Sequence, residues 1–279
     1  MYKKNVIITG ASDGIGAAAA RQLANNQNYN LYLVGRNRAK TAAVADEVQA
    51  PYFIADFADL EQVRHLAMVL KNTLGSASID ILVNNAGGLF DDYAVTTDGF
   101  ERTFQINYLA QFLLTQLLLP QFNNEVAVIN TSSVAHKLYG HLNLNDLNNQ
   151  DHYNASKAYG DSKLADLLFT KELHRRYHDQ GLTTVAFHPG VIRTNFSNGQ
   201  KNWRQIYQSA LGKLVLPSAE AGGKTLRYFI EGTPDVTWQS GQYYSKTRLS
   251  KKVNPQANDV LLQQQLWDKT MTLLDSYIH

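Results

Sequence analysis

The chain of 279 residues contains no cysteine, which excludes disulfides, thiol nucleophiles and cysteine-ligated zinc in one step. It carries no excess charge of one sign. Lys and Arg total 26 against 24 Asp and Glu, a formal net charge of +2, so neither nucleic acid nor an acidic membrane is implied as a partner. Long apolar runs are missing too: the longest, from Phe112 to Leu119, is interrupted by Thr115 and Gln116 and falls far short of the ~20 residues that span a bilayer. After Met1-Tyr2-Lys3-Lys4-Asn5 only three apolar residues precede Thr9-Gly10, too few for a signal-peptide core. A cytoplasmic protein without a membrane anchor is expected. Without repeats, low-complexity tracts or a Pro/Gly/Ser linker, nothing divides the chain, and residues 1–279 are expected to form a single domain.

With 44% hydrophobic and 18% charged residues, there is ample material for a core. Short apolar runs recur at Val6-Ile7-Ile8, Leu31-Tyr32-Leu33-Val34, Tyr52-Phe53-Ile54, residues 79–83, 126–129 and 184–187, separated by stretches of helical spacing. Strands buried on both faces and alternating with helices predict βαβ units, hence an α/β, doubly wound Rossmann fold with a central parallel sheet flanked by helices. Two segments after strand ends, 136–152 and 195–217, have the character of insertions on the substrate side. The second carries Phe196, Trp203 and Tyr207, which line either an apolar pocket or the core of a lid.

The first strand runs into Thr9-Gly10-Ala11-Ser12-Asp13-Gly14-Ile15-Gly16 and an alanine-rich helix. Glycines there allow backbone to approach a pyrophosphate, and the helix N-terminus offers free N–H groups and a positive dipole end. At the end of the second strand stands Gly35-Arg36-Asn37-Arg38, with no acid to bind a ribose 2′-hydroxyl. Arg36 suits a 2′-phosphate instead, so NADP(H) is favoured and NAD(H) is the alternative. Asp13, an acid in the glycine turn, counts against this preference.

Two Tyr-x-x-x-Lys pairs occur, Tyr153 with Lys157 and Tyr159 with Lys163. A phenol titrates near pH ~10, and an ammonium one helical turn away favours the phenolate, making such a tyrosine a usable proton donor. On a helix either pair would share one face. His174 and His178 could also share a helix face toward a metal, but Arg175 and Arg176 adjoin them and no acid lies between. A solvated helix end accounts for them better, and no metal is expected.

The glycine spacing, with Leu82-Val83-Asn84-Asn85-Ala86-Gly87 and the residues below, resembles the short-chain dehydrogenase/reductase family, in its retinol-dehydrogenase-like branch. The resemblance implies cofactor contacts from Gly10, Ser12, Asp13, Gly14, Ile15 and Gly16. It further implies them from Arg36, from Asp56 and Phe57 at the adenine, from Asn85, Ala86 and Gly87, and from Pro189, Gly190, Val191 and Thr194 near the nicotinamide. Residues 158–173, with Pro189 standing 26 positions after Lys163 against 32 after Lys157, resemble the branch's active-site helix. By that resemblance Tyr159 is the general acid and base and Lys163 its partner on the nicotinamide ribose. Ser133, in Thr131-Ser132-Ser133-Val134, is then the residue that binds the substrate oxygen, and Asn107 kinks its helix and holds a relay water. Gly241-Gln242-Tyr243-Tyr244 and the helix of residues 261–274 resemble the branch's final strand and helix.

The function this implies is oxidoreduction between an alcohol and an aldehyde or ketone, with a small molecule as partner. The branch's membrane-bound members begin with an apolar anchor that is lacking here, which puts retinol in doubt as substrate. A non-catalytic dinucleotide-binding sensor or scaffold, and a sugar-nucleotide epimerase or dehydratase, are the alternatives. Relatives associate through the helices of Asn107 and Tyr159, so a homo-oligomer is an open expectation, with segment 136–152 adjacent to that surface.

Overall fold

Strand β1 (Lys4–Thr9) is buried at every position after the first, and its side chains divide by the two-residue period of a strand. Val6 and Ile8 enter one apolar cluster with Leu23, Leu226 and Phe229, whereas Ile7 enters the other with Leu66, Leu113 and Leu168. A strand covered on both faces needs no polar alternation, which is why these strands read as continuous apolar runs. The computed structural model describes residues 2–190 and 218–279. The expected contacts of Val191, Thr194, Phe196, Trp203 and Tyr207, and the segment 195–217, therefore fall outside the described residues.

In chain order β1 is followed by α1 (Gly14–Leu23), β2 (Tyr29–Gly35), α2 (Arg38–Val48), β3 (Tyr52–Ile54), α3 (Leu60–Leu74) and β4 (Ile79–Asn84). Next come α4 (Arg102–Phe104), a π turn (Gln105–Leu109), α5 (Ala110–Leu118), β5 (Phe122–Thr131), α6 (Ala135–Leu138), α7 (Ala155–Tyr177) and β6 (Thr183–His188). The described C-terminal part holds α8 (Ala219–Glu231), β7 (Gln242–Ser245), β8 (Arg248–Leu249), α9 (Val260–Leu273) and α10 (Asp275–Ile278). Among the described residues the sheet has eight strands in the order β3-β2-β1-β4-β5-β6-β7-β8. All neighbours pair in parallel except β7 and β8.

The chain reverses direction across the sheet between β1 and β4, and such a switch point opens a crevice at the carboxyl ends of the strands. Helices pack on both faces of the sheet. The alanines of α1 pack on α8, where a Cβ on Gly223 would lie 2.7 Å from that of Ala18. On the other face α7 lies beside α9, with Trp267 against Phe112 and Phe169. β5 begins four residues before the expected run, through the polar Asn123, Asn124 and Glu125. Segment 136–152 is tied down across the chain: Asn254 donates to the carbonyls of His136 and Gly140, each at 2.8 Å, and the His141 amide donates to Asp161 at 2.7 Å.

Candidate active site

The turn after β1 is shaped by its glycines. Gly10 and Gly14 have φ of +67° and +58°, the left-handed region that other residues avoid. A Cβ on Gly10 would stand 2.8 Å from Ala86 Cα, and one on Gly16 only 2.5 Å from the Gly10 carbonyl oxygen. The turn is also laced to β4. Thr9 Oγ1 donates to the Val83 carbonyl at 2.9 Å and accepts from the amides of Asn85 and Ala86 at 2.9 and 3.0 Å. Asn85 donates back to the Thr9 carbonyl and accepts from Thr131 Oγ1. Thr9 was not among the expected site residues; its position as the last residue of an apolar strand was the available signal.

This lacing frames a cleft of about 590 Å³. Of the residues expected to hold a dinucleotide, Gly10, Ser12, Asp13, Gly14 and Ile15 line it, as do Arg36, Asp56 and Phe57 and the stretch Asn85, Ala86 and Gly87. Gly16 sits behind the wall, while Tyr159, Lys163, Pro189 and Gly190 lie off the cleft. The residues fit a dinucleotide: Gly14 and Ile15, which open α1, line the cleft, and the Gly10 backbone approaches Ala86 too closely for any side chain. At the far end Arg36 comes within 4.0 Å of Asp56, both well exposed. Asp13 caps α1 by accepting from the Gly14 amide at 2.8 Å, and Lys40 from α2 reaches it at 2.9 Å. A cation therefore stands where the sequence has an acid. Lys40 lines the cleft and was missed because it stands 27 positions after Asp13, with no sequence sign of contact between them.

Beyond the cleft, the two serines after β5 differ. Ser132 is buried, its hydroxyl donating to the Lys163 carbonyl at 3.0 Å. Ser133 is partly exposed and its Oγ accepts from the Ala135 amide at 3.2 Å, leaving its own hydrogen free to donate. Helix α7 brings Lys163 up to the same place. The ammonium donates to the Thr131 carbonyl at 3.0 Å, lies 5.9 Å from the Tyr159 ring centre, and stands 3.7 Å from where a Gly87 Cβ would be. Asn107, fully buried in the π turn, accepts from the Gly88 amide at 2.8 Å and donates to the Gly88 carbonyl and to Ser162 Oγ. It thus ties the wall of the cleft to α7, and it occupies the kind of widened helical turn often found at functional sites.

The other tyrosine and lysine are arranged differently from the helical pair the spacing suggested. α7 begins at Ala155 behind an Asn154 cap, so Tyr153 precedes the helix, and the two do not share a helix face. The Tyr153 hydroxyl donates to the Phe90 carbonyl at 3.3 Å. Lys157 is committed to Asn149 at 2.6 Å and to the buried Asp161 at 2.5 Å. Further along, His174 meets Ser240 Oγ at 2.9 Å, its ring 4.4 Å from that of His178.

Burial dominates the titration of the polar groups near the site. It pushes His188 down to about 4, helped by the charges of His136 and Lys246, and lowers His136 as well. It raises Asp166 to about 6 against the pull of Lys163. Asp166, His136 and His188 were not singled out from the sequence. Among the described residues no helix is long and apolar enough to cross a membrane.

Known proteins share this arrangement across most of the chain. The short chain dehydrogenase family profile matches residues 4–205. Human retinol dehydrogenase 13 is 36% identical over 287 residues, covering 97% of this chain and 84% of its own. Bovine retinol dehydrogenase 12 is 33% identical over 286 residues, covering 98% and 87%. A solved Burkholderia cenocepacia short chain dehydrogenase in complex with NADP superposes with a TM-score of 0.68 at 22% identity, covering 92% of this chain and 98% of that one. The last likeness shows the fold, and the two before it the branch. The chain belongs to the short chain dehydrogenase family, in which it is retinol-dehydrogenase-like, and it is an oxidoreductase.

Proposed function

We propose that the protein interconverts an alcohol and an aldehyde or ketone with NADP(H), using Tyr159 as the group that gives or takes the proton. When bound, the nicotinamide supplies or accepts the hydride. The glycine turn and the amino end of α1 would hold the pyrophosphate. Arg36 and Lys40, both of which line the cleft, would hold a 2′-phosphate, a doubly charged group that two cations suit.

The observation that carries the proton-transfer reading is the Lys163 ammonium 5.9 Å from the Tyr159 ring, one turn along the same helix and next to Gly87 of the cleft. An ammonium there favours the phenolate, so the hydroxyl gives up its proton more readily than an isolated phenol. In reduction, the Tyr159 O–H bond breaks and its proton goes to the carbonyl oxygen. In oxidation the phenolate takes the proton back. The Ser133 hydroxyl donates to that oxygen without competing for its charge. Asn107 holds α7 against the Gly88 backbone, so the lysine and the cleft wall keep a fixed relation.

The test is turnover on a panel of carbonyl and alcohol substrates, followed at the absorbance of NADPH. Tyr159→Phe should lower kcat by ~10²–10⁴-fold, the usual contribution of a positioned general acid. Arg36→Ala should raise KM for NADPH far more than for NADH. A Tyr159→Phe variant within tenfold of wild type refutes the proton-transfer role, and tight NADPH binding without turnover on any substrate leaves a dinucleotide-binding protein instead.

A further inference from the structure

Lys163 meets a second charge that the reaction as described does not use. Its ammonium donates to Asp166 Oδ2 at 2.8 Å, and both side chains are sealed, 4% and 2% exposed. Tyr159, Lys163 and Asp166 stand at i, i+4 and i+7 on α7, a single stripe along the helix face. The ammonium therefore lies between the phenol, one turn toward the amino end, and the carboxylate, one turn toward the carboxyl end.

The electrostatic consequence follows from the sum of charges. A lone ammonium presents a full positive charge to Tyr159. An ammonium paired with a carboxylate is a dipole with no net charge, and its field falls faster with distance. Pairing also spends one of the lysine's three N–H donors and, with the Thr131 carbonyl taking another, fixes where the ammonium sits. Among the described residues, two titratable groups face the carboxylate: Lys163 from its own helix and Tyr108 from the π turn. Tyr108 is itself raised by burial and stays neutral. Lys163 is thus the charge Asp166 answers to, even though burial makes the carboxyl easier to protonate than usual.

We propose that Asp166 is a positioning residue which fixes the Lys163 ammonium and offsets part of its charge, so that Tyr159 ionises at a higher pH than the lysine alone would set. This rests on the reading that Tyr159 and Lys163 carry the proton transfer. It makes Asp166 the residue that tunes the working pH of the enzyme without touching substrate.

The experiment reads the phenol directly. Tyrosinate absorbance is titrated in the full chain without cofactor or substrate, each variant being compared with its own Tyr159→Phe counterpart so that one tyrosine is observed. In Asp166→Asn the ionisation of Tyr159 should fall by about one pH unit, and the alkaline-rising limb of kcat/KM for alcohol oxidation should move down with it. An unchanged or raised value overturns the proposal.

Should Asp166→Asn leave Lys163 too exposed to its buried surroundings to fold, Lys163→Met/Asp166→Asn removes both charges and decides the matter. Tyr159 should then ionise above wild type by less than about one pH unit, since the pair presents only part of the ammonium's charge. A rise of more than a unit means that Lys163 acts with its whole charge and that Asp166 has no share. The reading of the site fails separately: Tyr159→Phe activity near wild type sinks it, whatever the titration shows.

Discussion

His188 closes β6, immediately before Pro189-Gly190, and its ring is an acid-sensitive point of the fold. Its Nδ1 is buried and finds no partner among the described residues, and His136 and Lys246 both oppose a positive charge there. Burial and these charges lower its pKa from 6.5 to about 4. In the unfolded chain the imidazole takes up a proton as the pH falls through 6.5, whereas in the folded chain it stays neutral until about 4. Between those values the unfolded state binds more protons, so stability is lost as the pH falls.

A shift of this size corresponds to about 3 kcal/mol, and about 2 kcal/mol after discounting for the part of the ring that solvent reaches. The perturbation is His188→Asn, which keeps a polar atom near Nδ1 and removes the titration. Urea unfolding at pH 7.5 and again at about pH 4.5 gives each protein's loss on acidification. Wild type should lose about 2 kcal/mol more than His188→Asn. His136, also lowered by burial, is present in both proteins and contributes to both losses in the same sense. Equal losses in the two proteins would refute the assignment of a neutral, costly-to-charge His188.

Three further outcomes are expected. Lys157→Met leaves the Asp161 carboxylate, 3% exposed, with the His141 amide but no cation, which should cost ~3 kcal/mol and several degrees of Tm while kcat stays within about twofold; a loss of turnover at unchanged Tm would contradict it. Gly16→Ala forces a Cβ within 2.5 Å of the Gly10 carbonyl oxygen, so the turn must shift and NADPH affinity, measured by fluorescence titration, should drop sharply at a folding cost of ~1–3 kcal/mol. Ser133→Ala should lower kcat with little change in Tm, whereas Ser132→Ala should lose ~1 kcal/mol of stability with its bond to the Lys163 carbonyl; the reverse pattern would exchange the two roles.

The parallel strands were readable because burial on both faces removes any need for polar positions, and runs such as Val6-Ile7-Ile8 are far too short to span a bilayer. β8 was not readable. It is two exposed residues, Arg248 and Leu249, paired antiparallel at the sheet edge, and so short an element has no period. The glycine turn was legible because its φ values and close approaches demand one residue type, and the sequence writes that demand plainly. Contacts between distant segments were not, because they depend on where loops meet: Lys40 on Asp13, Asn254 on segment 136–152, and Thr9 beneath Asn85. Asp166 did leave a mark, an acid between Ala165 and Leu167 in an otherwise apolar stretch. Its meaning depends on its being buried, and helical spacing alone does not show whether that face of α7 is covered.

The two tyrosine–lysine pairs show what spacing can and cannot carry. Helix α7 holds two lysine–aspartate pairs of the same chemistry, Lys157 with Asp161 and Lys163 with Asp166. What separates them is solvent and neighbours. Lys157 is 37% exposed and its partners, Asp161 and Asn149, join the helix start to segment 136–152, so its charge is spent on holding a loop. Lys163 is sealed, and its partners are a strand carbonyl and a carboxylate in the core. A buried ammonium is not screened by water, so the charge that offsets it is the carboxylate paired with it. Tyr159 stands one turn from Lys163 on the helix, whereas Tyr153 stands before the helix and donates to the Phe90 carbonyl. The same Tyr-x-x-x-Lys spacing thus stands beside one ion pair that ties a loop to the helix start and one sealed in the core, and the difference lies in how deeply each lysine is buried.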